Sequence, residues 1–349
     1  MHGIAPGTDV LMQPFQVIVP QTVETPVVVE VPHAGLLADV SSRATIQAPE
    51  RSLAEDADLY VDELFADAVD EGATLLVARL SRYVLDLNRG ETEYDGVAVA
   101  GGRGSASPHG LVWHRSTGGL ELLCEPLDRA ELARRLRVIY RPYHAALQEL
   151  LLAKKARFGY AILLCAHSMP SRGRDGYGQV VDRADVVPGT RGRTSTAPAL
   201  LDLVEAEAAS EGLSVRHDDP YRGGYSTAHY GDPSRHIHAI QVELARRLYM
   251  SESTLFRAPE RFDRTRVFCR RLVARLGSTS FTLYSLERKL FCERPLPPFC
   301  PSLPPNLAYP SPARHALPLD VRMIPYGPIA APWYFRRSRR VRRQSCFRR

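Results

Sequence analysis

The chain has 349 residues, 44% of them hydrophobic, and a formal net charge of +6, which allows one large domain or two small ones with a sizeable core. No stretch approaches the roughly 20 apolar residues of a membrane span, and the start of the chain lacks the basic and apolar blocks of a secretory signal. Eight arginines lie within 336–349, and subtracting their +8 from +6 leaves −2 for the remainder, so any nucleic-acid character is confined to that end.

Residues 16–278 read as one α/β unit. VVVEV (27–31) is a continuous β-branched run, as in a strand covered on both faces. Residues 54–72 read as a helix: Val61, Leu64, Phe65, Ala68 and Val69 form one stripe at spacings of three and four, and Gly72 serves as its C-cap. ATLLVARL (73–80) is a strand, and YVLDL (83–87) extends or follows it. Residues 90–118 are Gly-rich and polar, a loop long enough to suggest function. Residues 128–157 form a long helix with Asp128 as N-cap and Glu131 completing a capping box. AILLCA (161–166) is the next strand. A loop (171–197), a helix (198–211) ended by Gly212, a short strand LSVRH (213–217), the strand AIQVEL (239–244) and a helix (258–277) follow.

This alternation predicts an α/β fold with a mixed, mostly parallel central sheet and helices on both faces. Beyond it the character changes: residues 295–332 hold twelve prolines without periodicity, and the end is basic. The expected division is a domain over 1–278 and a Pro-rich, Arg-rich tail over 279–349 without a packed core. The six cysteines, at 124, 165, 269, 292, 300 and 346, make no close pair, which favours a reducing cytoplasm over a disulfide scaffold.

Reactive side chains gather at strand ends, where open α/β sheets bind ligands. His33 follows the first strand and His167 the strand AILLCA. Two such histidines suit one borderline-soft metal ion, with a carboxylate as third ligand; Asp56 or Asp58 is placed to supply it. Glu243, inside an apolar strand, is either a general base or half of a salt bridge with Arg246 or Arg247. Asn88 and Arg89 suit a carboxylate clamp, since a guanidinium offers a planar fork; Arg82 can add charge or pair with Asp86. In RGGYSTAHYG (222–231), Gly223 and Gly224 allow close backbone approach to a ligand, beside His229 and Tyr230. Ser168 points away from its neighbour His167. No Walker A, G-x-S-x-G or H-E-x-x-H motif occurs.

The ordered set PHAG (32–35), DLYVDEL (58–64), SRYVLDLNR (81–89), AHSMP (166–170), RGGYSTAHYG and HAIQVEL (238–244) resembles the N-formylglutamate amidohydrolase family over residues 25–277. The resemblance implies a fold similar to zinc carboxypeptidases. It also implies metal-dependent hydrolysis of an N-acyl amide on an acidic amino acid: N-formyl-L-glutamate to formate and glutamate, late in histidine breakdown. Carried onto this chain, it makes His33, Asp58 and His167 zinc ligands, Glu243 the general base and Arg89 the holder of the substrate carboxylate. Arg82, His229 and Tyr230 become further groups for binding or oxyanion stabilisation. Two positions depart from the pattern. Cys165 stands where many members carry an acid, and Leu36 stands where a carboxypeptidase H-x-x-E pair would have Glu. The competing expectations are an amidohydrolase of the same fold acting on another acylated amino acid or peptide, and a non-catalytic module whose tail reaches nucleic acid. The expected partner is a small-molecule N-acyl amino acid, with no membrane.

Overall fold

The computed structural model describes residues 13–104 and 107–280. The expected tail therefore lies outside the described residues, apart from its first two positions. In chain order the elements are β1 (Phe15–Ile18), β2 (Val27–Val31), α1 (Val40–Thr45), α2 (Glu50–Asp56), α3 (Val61–Leu64) and β3 (Thr74–Ala78). Then come α4 (Arg129–Arg135), α5 (Arg141–Phe158), β4 (Ala161–Met169), β5 (Arg172–Arg174), β6 (Val180–Asp182) and β7 (Val186–Gly189). The last are α6 (Pro198–Ser210), α7 (Tyr225–Tyr230), β8 (Ile237–Ala245) and α8 (Pro259–Gly277).

The main sheet runs β1-β3-β2-β4-β8-β7. The inner strands β3, β2, β4 and β8 are parallel, and β1 and β7 close the edges antiparallel. Alternation along each inner strand feeds two cores. Val28, Leu163, Cys165 and Ala239 pack toward α4 and α5, while Val27, Val29, Val31, Ile162, Leu164 and Val242 pack toward α3, α6 and α8. The mostly parallel sheet with helices on both faces is thus as expected. β5 and β6 form a separate hairpin.

Local expectations were revised in places. The helix expected over 54–72 is broken. α2 stops at Asp56, Tyr60 takes a left-handed φ of 66°, and a short α3 and a 3-10 turn (66–69) follow. Of the predicted apolar stripe, Val61, Leu64, Phe65 and Ala68 are nevertheless buried and Val69 partly so, because the broken segment still packs on the sheet. YVLDL (83–87) is a turn instead of a strand: Val84 N–H bonds to Ser81 O, and Asp86 N–H reaches out to Leu111 O. LSVRH makes one isolated bridge, Val215 to Val186. The expected loops over 171–197 and 222–231 contain β5, β6, β7 and α7. β1 was not foreseen. β4 runs three residues further than AILLCA, so His167 lies inside the strand.

The long helix forms as α4 and α5 joined by a π-turn (136–140). Asp128 caps it, accepting from Glu131 N–H at 2.7 Å. The Glu131 side chain does not reach back to close a capping box; its carboxylate receives Arg134 and Arg135 instead. Arg135 is fully buried, and its guanidinium also donates to Val84 O (2.6 Å) and Thr45 Oγ1 (2.6 Å). This pins the 83–87 turn onto α4. Arg135→Met leaves Val84 O and Thr45 Oγ1 without their donor and Glu131 with Arg134 alone, so urea unfolding is expected to show a loss of about 2–4 kcal/mol.

Candidate active site

Three chain segments meet where β2, β4 and β8 end. Past β2, the PHAG turn folds tightly against β3: a side chain at Gly35 would overlap the Arg79 backbone. His33 is thereby held below the surface. Its carbonyl accepts the Asp58 N–H at 3.0 Å, which draws the break after α2 onto the histidine. The carbonyls left open at the end of α2 are taken by arginines, an arrangement that also suits the negative end of a helix dipole. Arg246 donates to Glu55 O and Ala57 O at 2.7 Å each, and Arg82 to Asp56 O. On the third segment, His167 of β4 lies directly opposite Glu243 of β8, so both side chains emerge on one face.

One ring nitrogen here faces a carboxylate oxygen with no proton to donate to it. His33 Nε2 lies 2.8 Å from Asp86 Oδ1. Burial alone would raise the Asp86 carboxyl, but the hydrogen bond with His33 and the charges of Arg82 and Arg89 hold it well below the usual carboxylate range. It therefore accepts, and the Nε2 proton is fixed. That leaves His33 Nδ1 as a bare lone pair with no hydrogen-bond partner among the described residues, 3.6 Å from Asp58 Oδ2. His167 Nδ1 lies 3.0 Å from the same oxygen. The possible ligand atoms of His33, Asp58 and His167 all fall within 4.8 Å of one another. Two imidazoles and a carboxylate, all buried, are the donor set of a transition-metal site.

The two candidate carboxylates separate clearly. Asp56 is occupied by Tyr83 Oη (2.6 Å) and Thr117 N–H (2.9 Å), whereas Asp58 faces both histidines. Burial opposes ionisation of Asp58, but the hydrogen bond with His167 outweighs it and the carboxyl is held far below its ordinary value. Asp86 is the support beneath the group. Its Oδ1 also receives Asn88 N–H (2.9 Å), and its Oδ2 receives Arg82 Nη2 (2.8 Å) and Trp113 Nε1 (3.0 Å). Histidine ligands are commonly oriented by such a carboxylate.

Asn88 and Gly224 meet here too. The Asn88 amide approaches His167 Nε2 at 3.3 Å and accepts Ser226 N–H at 2.9 Å. A side chain at Gly224 would overlap that amide, and Gly224 N–H donates to Gln241 Oε1. Glu243 is buried and accepts from Gln241 Nε2 at 2.9 Å. Burial first, and then the Asp58 charge, push its carboxyl up to about 7 against the pull of His167, Arg82 and Arg246, the range of a working general base.

These groups line a cavity of about 820 Å³, together with Arg82, Arg89 and Arg246. His229 and Tyr230 are not brought to it. They lie on α7, which turns them toward α5, where Tyr230 Oη meets His144 Nδ1 at 2.8 Å. Arg82 lines the cavity while committed to Asp86. Sequence reasoning missed Trp113, hidden in a loop without periodicity, and Gln241, whose signal was available: Gln241 and Glu243 are i and i+2, two polar residues on one face of an apolar strand. Arg246 had been considered only as a partner for Glu243.

A family model described as N-formylglutamate amidohydrolase matches residues 25–250. An N-formylglutamate deformylase of Pseudomonas putida is 35% identical over 234 residues, covering 66% of this chain and 84% of that protein. One from Pseudomonas aeruginosa is 34% identical over the same extent. The crystal structure of N-formylglutamate amidohydrolase from Ralstonia eutropha JMP134 is 31% identical and has a TM-score of 0.70, covering 80% of this chain and all of that one.

Asp86→Asn keeps the shape but weakens the hold on His33. Calorimetric titration of the metal-free protein with a divalent cation is expected to give affinity lowered about 10–100-fold, with the far-UV circular dichroism unchanged.

Proposed function

The chain belongs to the N-formylglutamate amidohydrolase family, and on that premise we propose that it is a metal-dependent amide hydrolase converting N-formyl-L-glutamate to formate and L-glutamate. The observation that carries this reading is the buried His33, Asp58 and His167 group beside a carboxyl, Glu243, raised to about 7. The proposed ligands are those three residues, and the proposed ion is zinc, which takes three protein ligands in catalytic sites and keeps a position open. When bound, the ion supplies Lewis acidity to the acyl oxygen and makes water easier to deprotonate.

The residues of the chain do the rest. Glu243 takes a proton from the attacking water as its oxygen bonds to the formyl carbon. It returns that proton to the amide nitrogen as the C–N bond breaks, so glutamate leaves as the amine. Arg246 suits the developing oxyanion through its charge: it stands at the cavity wall, with its guanidinium fixed by Glu55 O and Ala57 O. Donors of this kind are worth about 3–4 kcal/mol in other enzymes. Arg89 is held by His109 O (2.9 Å) and Asn88 O (3.0 Å), which leaves its charge for a substrate carboxylate. Cys124, Cys165 and Cys269 are unpaired, in keeping with a cytoplasmic setting. Among the described residues no helix is long and apolar enough to cross a membrane. A role late in histidine breakdown follows from the proposed reaction.

Metal-loaded protein is expected to release formate from N-formyl-L-glutamate and to favour it across a panel of N-acyl amino acids; no turnover of that substrate would falsify the reading. Glu243→Gln is expected to lower kcat about 10²–10⁴-fold with metal retained, and a kcat near wild type would remove Glu243 from the role of base. The base works only when deprotonated, so kcat/KM is expected to fall tenfold per pH unit on the acid side. Burial raises Glu243 and a nearby cation lowers it, so the midpoint of that limb is expected between 4.5 and about 7.

A further inference from the structure

The cavity wall carries a second arginine that the proposed chemistry does not use. Arg183 follows β6 and leans back over the hairpin: a side chain at Gly173 would overlap its guanidinium. The guanidinium is half-buried and fixed by neutral acceptors, with Nη1 donating to Tyr221 Oη (3.0 Å) and Pro170 O (3.2 Å), and its Cζ lies 5.2 Å from the Tyr221 ring centre. No carboxylate among the described residues lies within 4.0 Å of it. Arg89 has the same character: half-buried, ordered by two carbonyls, and without a carboxylate partner. The remaining cavity arginines differ. Arg82, Arg172, Arg222 and Arg246 each have a carboxylate within 4.0 Å, and Arg174 and Arg191 are exposed.

A partly desolvated cation held only by neutral groups is costly unless an anion completes it. Its donors are already ordered, so little freedom is lost when the anion arrives. We propose that Arg183, with Tyr221 as its support, binds the side-chain carboxylate of the acylated amino acid and so selects dicarboxylic substrates. This rests on the hydrolase reading above and assigns the second of the substrate's two carboxylates, Arg89 taking the first.

The reach agrees. Arg183 donates to Pro170, the residue just past the end of β4 and three beyond His167, which at about 3.3 Å per residue of extended chain is about 10 Å along the backbone from that histidine. From formyl carbon to side-chain carboxyl carbon the substrate spans five bonds, about 6 Å extended. A charge-assisted hydrogen bond of about 2.8 Å at the far end brings this to about 9 Å. Tyr221 lines the same cavity as Glu243 and holds the guanidinium there, its hydroxyl accepting from Arg183 Nη1 at 3.0 Å.

The test compares N-formyl-L-glutamate with N-formyl-L-glutamine, which has the same shape without the second charge. With metal-loaded full chain, Arg183→Met is expected to cut the glutamate-over-glutamine ratio of kcat/KM by about 30-fold or more, mainly through KM, the scale of one lost charge-assisted pair. Arg183→Lys is expected to fall between that variant and wild type. A ratio changed less than about 3-fold, or an equal loss on both substrates, overturns the proposal, the latter marking a merely structural arginine. If the wild type hydrolyses neither substrate, the hydrolase reading fails on its own. Calorimetric binding of L-glutamate against L-glutamine then decides for Arg183: a glutamate preference lost in Arg183→Met upholds it, and equal binding overturns it.

Discussion

Everything at the site depends on one buried carboxylate. Asp86 is completely inaccessible to solvent, and an ion in that position would be expensive without compensation. It is compensated by four donors from three places: the His33 ring, the Asn88 backbone, the Arg82 guanidinium and the Trp113 indole. The arrangement runs both ways. The donors keep Asp86 ionised, and the ionised Asp86 keeps the His33 proton on Nε2. Only then is Nδ1 left as a bare lone pair facing Asp58 and His167. Removing any one donor disturbs the orientation of the other three, so the site is fixed as a unit.

The second constraint is an interruption. A continuous helix over 54–72 would have kept Asp58 on a helical surface. The chain instead stops α2 at Asp56, hands its terminal carbonyls to Arg246 and Arg82, and lets the Asp58 N–H bond to His33 O. The left-handed residue Tyr60 then restarts α3. The local propensity of DLYVDEL favours helix, and the tertiary contacts override it over the residues that place Asp58 beside the histidines. That Arg246 caps α2 and also lines the cavity explains why a basic residue follows β8 immediately: it closes the helix end at the cavity wall.

How much of this was legible in the sequence follows from the same physics. The central strands were, because their apolar runs must be covered on both faces, and a histidine or glutamate in such a run has few reasons to be there. His33, His167 and Glu243 stood out on that ground. The choice of Asp58 over Asp56 was not legible, since it depends on where Tyr83 and Thr117 come to rest. The 83–87 segment looked like a strand because its side chains are buried, yet it is a turn whose burial comes from α4 and the long loop. His229 and Tyr230 were drawn to the site by a Gly-rich context, but α7 is a helix, and its turn sends them toward His144. Arg183 carried no signal at all, because an arginine in a polar loop is ordinary until its neighbours are known.

Beneath the His33, Asp58 and His167 group lies a second buried layer. On β4, two residues before His167, stands Cys165 instead of an acid, and in the sheet it lies opposite Glu30 of β2. Glu30 is fully buried, and burial pushes its carboxyl above the ordinary value, so a neutral acid is the less costly form there. One oxygen of Glu30 accepts Tyr143 Oη of α5 (3.1 Å) and Ser226 Oγ of α7 (2.9 Å). Ser226 in turn donates its N–H to Asn88, whose amide faces His167. An acid on β2 thus reaches His167 through α7 and Asn88, where an acid on β4 would have lain closer in sequence. The support of the histidine is a property of the sheet and not of one strand, so it survives the exchange of its nearest acid for a thiol.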